Sequence, residues 1–385
     1  MRLTFLNLLA FALLAASPVA FSQQPAAALP PVPAAPAVAA RGYILVDFNS
    51  GEVLAEKDAD TPMDPASITK LMTAYAVFSE LRKGHMALDD MVTVSERAWR
   101  TGGSRMFIEV GTRVSVEDLI RGMIIQSGND ASVALAEHTA GTEAAFAELM
   151  TEYALRLGMS NTRFRNATGL PAEDHYSSAR DIAILAGAII REYPEFYQFY
   201  SEREFTYNNI TQRNRNQMLW RDPSVDGMKT GMTDGAGYCL VSSAEREGMR
   251  LVSVLLGTAS AKARADATQA LLNWGFRFYE SHRLYAAGEP VTTARLWMGE
   301  AEQLPVGLRE DLWVTVPRGR YDLMQASMEL QSPLTAPVTT DDVIGRLRVS
   351  LEGRELADRS LHPLQGAPQA GFLRRAIHSV LLWFE

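Results

Sequence analysis

The chain has 385 residues, long enough for about two or three domains with a well-buried core. Its 47% hydrophobic and 21% charged residues are those of an ordinary globular protein, and a formal net charge of −8 with no Lys/Arg cluster excludes a nucleic-acid surface. One cysteine, Cys239, excludes an internal disulfide; its spacing to the six histidines suggests no zinc site, so it reads as a small core residue and no metal or cofactor is expected.

Residues 1–22 read as a cleaved secretory signal. Arg2 supplies a short positive region, Leu6 to Leu14 is almost wholly apolar, and Ser17 to Ser22 ends in small residues suited to a cut after Ser22. The apolar run is too short for a membrane span, so the mature protein is expected outside the cytoplasmic membrane. Residues 23–40, rich in Ala and Pro and uncharged, predict an extended tether.

Folding is expected to begin with a strand over 40–47, turned by Asn49-Ser50-Gly51 into a second strand over 52–56. A helix follows from about Ser67 to Lys83-Gly84, with Ile68, Leu71, Met72, Tyr75, Phe78 and Leu81 as one apolar stripe. Residues 85–125 read as short strands and loops, with a helix from Val116 ending at Gln126-Ser127-Gly128-Asn129-Asp130. Further helices are predicted over 131–140 (strongly amphipathic), 142–157 and 178–191, then a polar, Asn-rich loop over 207–217. Lys229-Thr230-Gly231 precedes strands over 236–244 and 249–256, and a helix over 264–279 closes this part at 41–280.

From Ser281 the pattern changes to short strand-like runs at 292–298, 312–316, 324–330 and 343–351, separated by Gly, Pro and Asp. This predicts a small all-β sandwich over 281–366 and a linker over 363–371. Residues 371–385 place Leu373, Ile377, Val380, Leu381 and Phe384 on one helical face, with Arg374, Arg375 and His378 beside it. Fifteen residues cannot cross a bilayer, but such a helix can lie in a membrane surface.

The chemistry centres on Ser67-Ile68-Thr69-Lys70. Serine and lysine three apart on a helix share a face, so hydroxyl and amine lie side by side. Serine needs an adjacent base to act as a nucleophile, and a buried lysine beside other cations can be that base. Ser127-Gly128-Asn129 at a helix junction and Lys229-Thr230-Gly231 complete an ordered set. Each motif is common alone; together they are the signature of the penicillin-recognising serine enzymes.

The sequence resembles a D-alanyl-D-alanine carboxypeptidase, a low-molecular-mass penicillin-binding protein of the S11 peptidase family. The likeness runs from about Arg41 to the C-terminus. It includes Asp64 to Thr73, Gln126 to Ala131, Tyr176 to Asp181, Asn214-Arg215-Asn216 and Val225 to Gly231. It implies an α/β (α+β) transpeptidase/β-lactamase-like domain with an antiparallel sheet and helices, then a β-sandwich and a C-terminal amphipathic anchor. The implied substrate is the peptidoglycan pentapeptide stem, with β-lactams as inhibitors. The resemblance makes Ser67 the nucleophile and Lys70 its base, with the charge of Lys229 disfavouring protonated Lys70. Ser127 bridges that amine to the leaving nitrogen, and Asn129 holds the substrate amide and positions Lys70. Lys229, Thr230 and Gly231 flank the substrate carboxylate, with Arg264 assisting. The oxyanion hole is expected from the N–H groups of Ser67 and of Tyr238 or its neighbour. Arg180 and Asp181 are expected to form a structural ion pair at a helix start. Met232 departs from the family pattern, which often has a polar residue there, and a thioether donates no hydrogen bond.

Three alternatives stand beside this reading. A serine β-lactamase of the same fold usually needs a glutamate that activates water, and the stretch 164–171 contains none; Glu173 is nearest. A D,D-endopeptidase of the same family tends to lack the β-domain and anchor. A non-catalytic cell-wall binder would not need Ser67, Lys70, Ser127, Asn129 and Lys229 intact.

Overall fold

The computed structural model describes residues 31–384; the signal expected at 1–22 and the start of the tether lie outside the described residues. The central element is a five-stranded antiparallel sheet of β1 (Gly42–Asp47), β2 (Val53–Lys57), β3 (Val225–Thr233), β4 (Gly237–Arg246) and β5 (Met249–Thr258). Its spatial order is β2-β1-β5-β4-β3, which leaves β3 as an edge strand. Strand alternation sends successive residues to opposite faces. Ile44, Val241, Val252 and Val254 join a large helical core, whereas Tyr43, Leu45, Leu240 and Leu251 join a smaller one.

The large core is built around α1 (Lys70–Arg82), α2 (Val116–Ile125), α3 (Asn129–Ala140), α4 (Glu143–Arg156) and α5 (Ala179–Glu192). Serine or threonine side chains cap three of them, Ser115 accepting from Asp118 N, Thr142 from Ala145 N and Ser178 from Asp181 N. The sequence suggests a one-sided apolar stripe for α1 and a strongly amphipathic α3. In the structure every residue from Lys70 to Ser79 is buried, and so is every residue from Asn129 to Ala136. Both helices are enclosed on nearly all sides, so alanine, serine and threonine fill positions that a surface helix would give to charge. Emptying such a site is costly: Phe78→Ala removes about 3–5 kcal/mol of stability on general grounds.

On the opposite face α6 (Ala261–Phe278) lays Leu271, Leu272 and Phe276 against the sheet. The end of the tether packs here too. Val38 joins this core, and Pro33 accepts a hydrogen bond from Trp274 Nε1 at 3.0 Å.

Three other local expectations are corrected. Lys229-Thr230-Gly231 lies inside β3 rather than before a strand. Residues 204–213 form a hairpin, turned at Asn208-Asn209, both with positive φ. A short helix, Glu96–Arg100, interrupts the stretch read as strands and loops.

Beyond α6, strands Tyr279–Tyr285 and Leu312–Pro317 form one ladder. A six-stranded sheet follows, ordered Met324–Leu330, Gly345–Leu351, Arg354–Pro363, Gln303–Gly307, Pro290–Trp297 and Leu334–Thr335. Leu312 and Val314 from the first share one core with Leu296, Val306, Leu347 and Leu361 from the second. This all-β part meets the central sheet at Ser50, whose Oγ lies 2.6 Å from Thr315 Oγ1 and also hydrogen-bonds buried Asp47.

The terminal helix α7 (Phe372–Leu381) is clasped to the all-β part rather than hanging free. Arg374 pairs with Glu302 at 2.9 Å and donates to the Glu300 carbonyl. His378 Nδ1 accepts from Met298 N at 2.7 Å, its ring edge-on to Trp297. Leu373, Ile377, Val380, Trp383 and Phe384 remain exposed on the other side.

Candidate active site

The turn that carries Ser67 is a single 3-10 turn, Ala66–Thr69, running straight into α1. Ala66 has φ +48°, a left-handed conformation that costs an alanine energy and commonly marks a functional turn. The turn is held from two sides by residues without a Cβ. A methyl group on Gly169 would lie 1.8 Å from the Ala66 carbonyl oxygen, and one on Gly231 would lie 3.1 Å from the Pro65 oxygen. Gly169→Ala, at φ +81°, is therefore expected to destabilise the fold by about 3 kcal/mol and to slow acylation by a fluorescent penicillin. Wild-type melting and labelling of that variant would show that the turn has slack.

Lys70 is fully buried and makes three contacts: Ser67 Oγ at 3.1 Å, Asn129 Oδ1 at 2.7 Å and the Thr168 carbonyl at 2.5 Å. Asn129 Nδ2 donates to the Gly102 carbonyl, which fixes Oδ1 as the atom facing the lysine. Both Oδ1 and the Thr168 oxygen can only accept. A neutral Lys70 must spend its two N–H bonds on them, and its lone pair then points at the Ser67 hydroxyl. Burial, reinforced by Arg215 and opposed by Asp130, pulls the Lys70 pKa down from 10.5 to about 7. The sequence reading credits Lys229 with this effect; here desolvation dominates, Arg215 assists, and the mutual repulsion of Lys70 and Lys229 works in the same direction.

Ser127 stands between α2 and α3 with φ +67°. Its Oγ accepts from Lys229 Nζ at 2.9 Å, so its amine partner is Lys229 rather than Lys70. Gly128 is required beside it, because a Cβ would lie 2.9 Å from Asp130 Oδ1 and 3.2 Å from the Gly122 oxygen. Asp130 in turn accepts from the N–H groups of Met106 and Phe107, fixing the loop whose Ser104 carbonyl accepts from Asn129 N.

Lys229 is buried, and desolvation together with Lys70, Arg215 and Arg264 holds its pKa well below that of an ordinary lysine. It also donates to the Thr230 carbonyl at 3.0 Å, which marks Thr230 as facing the open edge of β3. Two residues on, Met232 shares that edge. Tyr238, opposite Met232, turns its backbone the other way, and its carbonyl accepts from Thr258 Oγ1 at 2.9 Å across β4–β5. The second backbone N–H at the cleft is thus that of Met232, not Tyr238. Arg264 donates to the carbonyls of Gly231 and Cys239, both at 3.2 Å, and its guanidinium sits 5.6 Å from the Tyr238 ring.

These groups surround one cleft of about 400 Å³, lined by Ser67, Ser127, Asn129, Thr230, Gly231 and Arg264 together with Gly103, Ser104, Gly169, Leu170, Arg215, Met232, Thr233 and Tyr238. No carboxylate lines it among the described residues, and no cluster suited to a metal occurs among them. Arg180 and Asp181 lie elsewhere and do not pair with each other. Arg180 binds Glu56 and Asp60, while Asp181 accepts from Thr162 Oγ1 and Asn161 N. Cys239 is buried within β4.

Residues 30–260 match the family profile described as D-alanyl-D-alanine carboxypeptidase. The chain belongs to the S11 peptidase family. A second profile, the C-terminal domain of penicillin-binding protein 5, matches residues 279–366 of this S11 peptidase. D-alanyl-D-alanine carboxypeptidase DacA of Escherichia coli (strain K12) is 42% identical over 362 residues, 92% of this chain and 90% of the relative. Penicillin binding protein 5 of Haemophilus influenzae superposes with a TM-score of 0.84 at 41% identity, covering 87% of this chain and 99% of that one. Penicillin-Binding Protein D2 of Listeria monocytogenes, in an ampicillin-bound form, matches with a TM-score of 0.59 at 31% identity over 63% of this chain and all of that one.

Sequence reasoning missed Thr168 and Gly169 as parts of the S11 site, and noticed Met232 for its side chain but not for its backbone N–H. It quoted Arg215 only within Asn214-Arg215-Asn216, without a role. Arg215 was the one with a visible signal, a cation inside the Asn-Arg-Asn run that resembles the family.

Proposed function

We propose that this S11 peptidase removes the terminal D-alanine from peptidoglycan pentapeptide stems through an ester on Ser67. The family assignment makes it a serine-type D-Ala-D-Ala carboxypeptidase and a penicillin-binding enzyme. The observation that carries the mechanism is the Lys70 amine, whose two N–H bonds face carbonyl acceptors and whose lone pair faces Ser67 Oγ at 3.1 Å.

Lys70 takes the Ser67 proton as Oγ attacks the carbonyl of the penultimate D-alanine. The backbone N–H groups of Ser67 and Met232 stabilise the oxyanion. Ser127 Oγ accepts from Lys229, so its own hydrogen is free to be donated to the leaving nitrogen, and the proton that Lys70 took from Ser67 replaces it. Lys229, Thr230 and Gly231, with Arg215 and Arg264 on the cleft wall, give the cleft a cationic end for the terminal carboxylate, whose arrival favours the charged form of Lys229. Met232, 52% exposed, offers that carboxylate a thioether but no side-chain donor, its N–H being turned to the oxyanion.

Water then attacks the ester, with Lys70 and Ser127 handling protons. The lack of a carboxylate in the cleft favours slow release of a penicilloyl group, against a β-lactamase reading. Pentapeptide muropeptides incubated with the enzyme and separated by chromatography should yield tetrapeptides and free D-alanine. Cross-linked dimers as the main product, or penicillin hydrolysis as fast as D-alanine release, would overturn this.

We further propose that α7 holds the mature enzyme on the periplasmic face of the inner membrane, by its surface. No described helix is long and apolar enough to cross a membrane, whereas α7 exposes Leu373, Ile377, Val380, Trp383 and Phe384 on one side. A chain truncated after Ala370 is expected to stop sedimenting with lipid vesicles yet to label with penicillin at the full rate. Continued sedimentation would place the anchor elsewhere.

A further inference from the structure

Two loops supply the carbonyls that orient Lys70. Residues 164–171 bring the Thr168 oxygen directly to its amine. Residues 101–105 act through Asn129, with the Gly102 oxygen accepting from Nδ2 and the Ser104 oxygen from the backbone N–H, both at 2.7 Å. The loops face each other at the cleft mouth, where a methyl on Gly103 would touch Leu170 Cδ2 at 4.0 Å.

Outside the cleft, one ion pair joins them. Arg97 sits on the short helix that leads into the first loop, and its guanidinium hydrogen-bonds Glu143 Oε2. Glu143, the first residue of α4, is buried, and its Oε1 accepts from Ala167 N of the second loop at 3.1 Å. The Ala167 carbonyl accepts from Thr73 on α1 at 2.7 Å, one turn beyond Lys70. A buried carboxylate could have been a deacylation base, but this one lies behind the loop and lines no part of the cleft.

We propose that Arg97 and Glu143 are positioning residues, a staple that fixes the spacing of the two loops and with it the direction of the Lys70 lone pair. Without the pair the loops separate slightly, the Thr168 oxygen withdraws and water reaches the amine. Misplacement by a fraction of an ångström is enough to slow a reaction that depends on one lone pair. Hydration also returns Lys70 towards an ordinary lysine, so the base becomes neutral only at higher pH. The charged groups that act on Lys70 directly, Asp130, Lys229 and Arg215, are untouched by changes at Arg97.

The inference rests on Lys70 as the base, and the test separates the two ideas. Acylation by a fluorescent penicillin is followed from pH 5 to 9 for the wild type, Arg97→Ala, Arg97→Lys and Glu143→Gln. The wild type should show an acid limb; a flat profile would sink the base assignment itself. Arg97→Ala should acylate on the order of ten-fold more slowly at neutral pH, with its acid limb moved to higher pH. Glu143→Gln, which keeps an acceptor for Ala167 N, should match it, and Arg97→Lys should recover most of the rate. Arg97 is largely exposed, and the double variant Arg97→Ala/Glu143→Gln leaves no buried charge, so a folded protein is available either way. If the variants melt lower but keep the wild-type rate and acid limb, the pair is merely structural and the proposal fails.

Discussion

A Ser67→Ala variant is expected to take up no penicilloyl group and to release D-alanine on the order of a million-fold more slowly than the wild type. The substitution deletes one oxygen from a turn that is otherwise fixed by Gly169 and Gly231, and Lys70 keeps its bonds to Asn129 and Thr168. The fold should therefore be retained, and melting temperature serves as the control. Intact-protein mass spectrometry after brief exposure to penicillin decides the matter. An adduct that persists in the variant would move the nucleophile elsewhere. Ser127 is the alternative hydroxyl at the cleft, but its amine partner is Lys229, placed to hold the substrate carboxylate, where Ser67 has Lys70.

The second large effect is on pH. A lysine acting as base must be neutral, and Lys70 has its pKa lowered from 10.5 to about 7 by burial. At neutral pH roughly half of the molecules then carry a competent base, about three orders of magnitude more than an ordinary lysine would supply. The sign follows directly: the acylation rate should fall about ten-fold for each pH unit below 7 and level off above about 8. His175 does not confuse the limb. Burial and Arg165 hold its pKa near 4; its Nδ1 accepts from Arg165 N, leaving Nε2 to donate to Thr69 Oγ1. A rate that is flat between pH 5 and 8 would show that Lys70 is not the base.

Side chains that carry their own chemistry were legible, and backbone groups were not. Ser67 and Lys70 stand out because three-residue spacing on a helix has a geometric meaning, and Ser127, Asn129 and Lys229 because they complete an ordered set of motifs with that pair. Thr168 contributes only a carbonyl, which every residue possesses, so nothing in its identity announces the contact with Lys70. Met232 was noticed for the side chain it lacks, whereas its place on the open edge of β3 gives its N–H a role that only strand register reveals. The same distinction runs through the fold. Helices α1 to α5 were all placed within a few residues; what periodicity did not reveal is that α1 and α3 are enclosed on nearly all sides. The strand Gln303–Gly307 was missed because Pro305 lies inside it, and Arg354–Pro363 because its many charged residues obscure the alternation of a strand.

The clasp between α7 and the all-β part has a geometric consequence for an enzyme seated on lipid. A catalytic unit on a slack leash sweeps a hemisphere and samples every height within reach. Here Arg374 on Glu302 and the His378 ring on Met298 N make the helix a foot continuous with the body, without a joint between them. The altitude of the cleft above the headgroups is then a property of the fold, like the height of a table set by its legs. Seated on lipid as proposed, the enzyme would diffuse in two dimensions and trim stems within a single stratum of the wall. Lengthening the segment between the all-β part and α7 would leave catalysis on free muropeptides unchanged while broadening the layer of intact wall from which pentapeptides disappear.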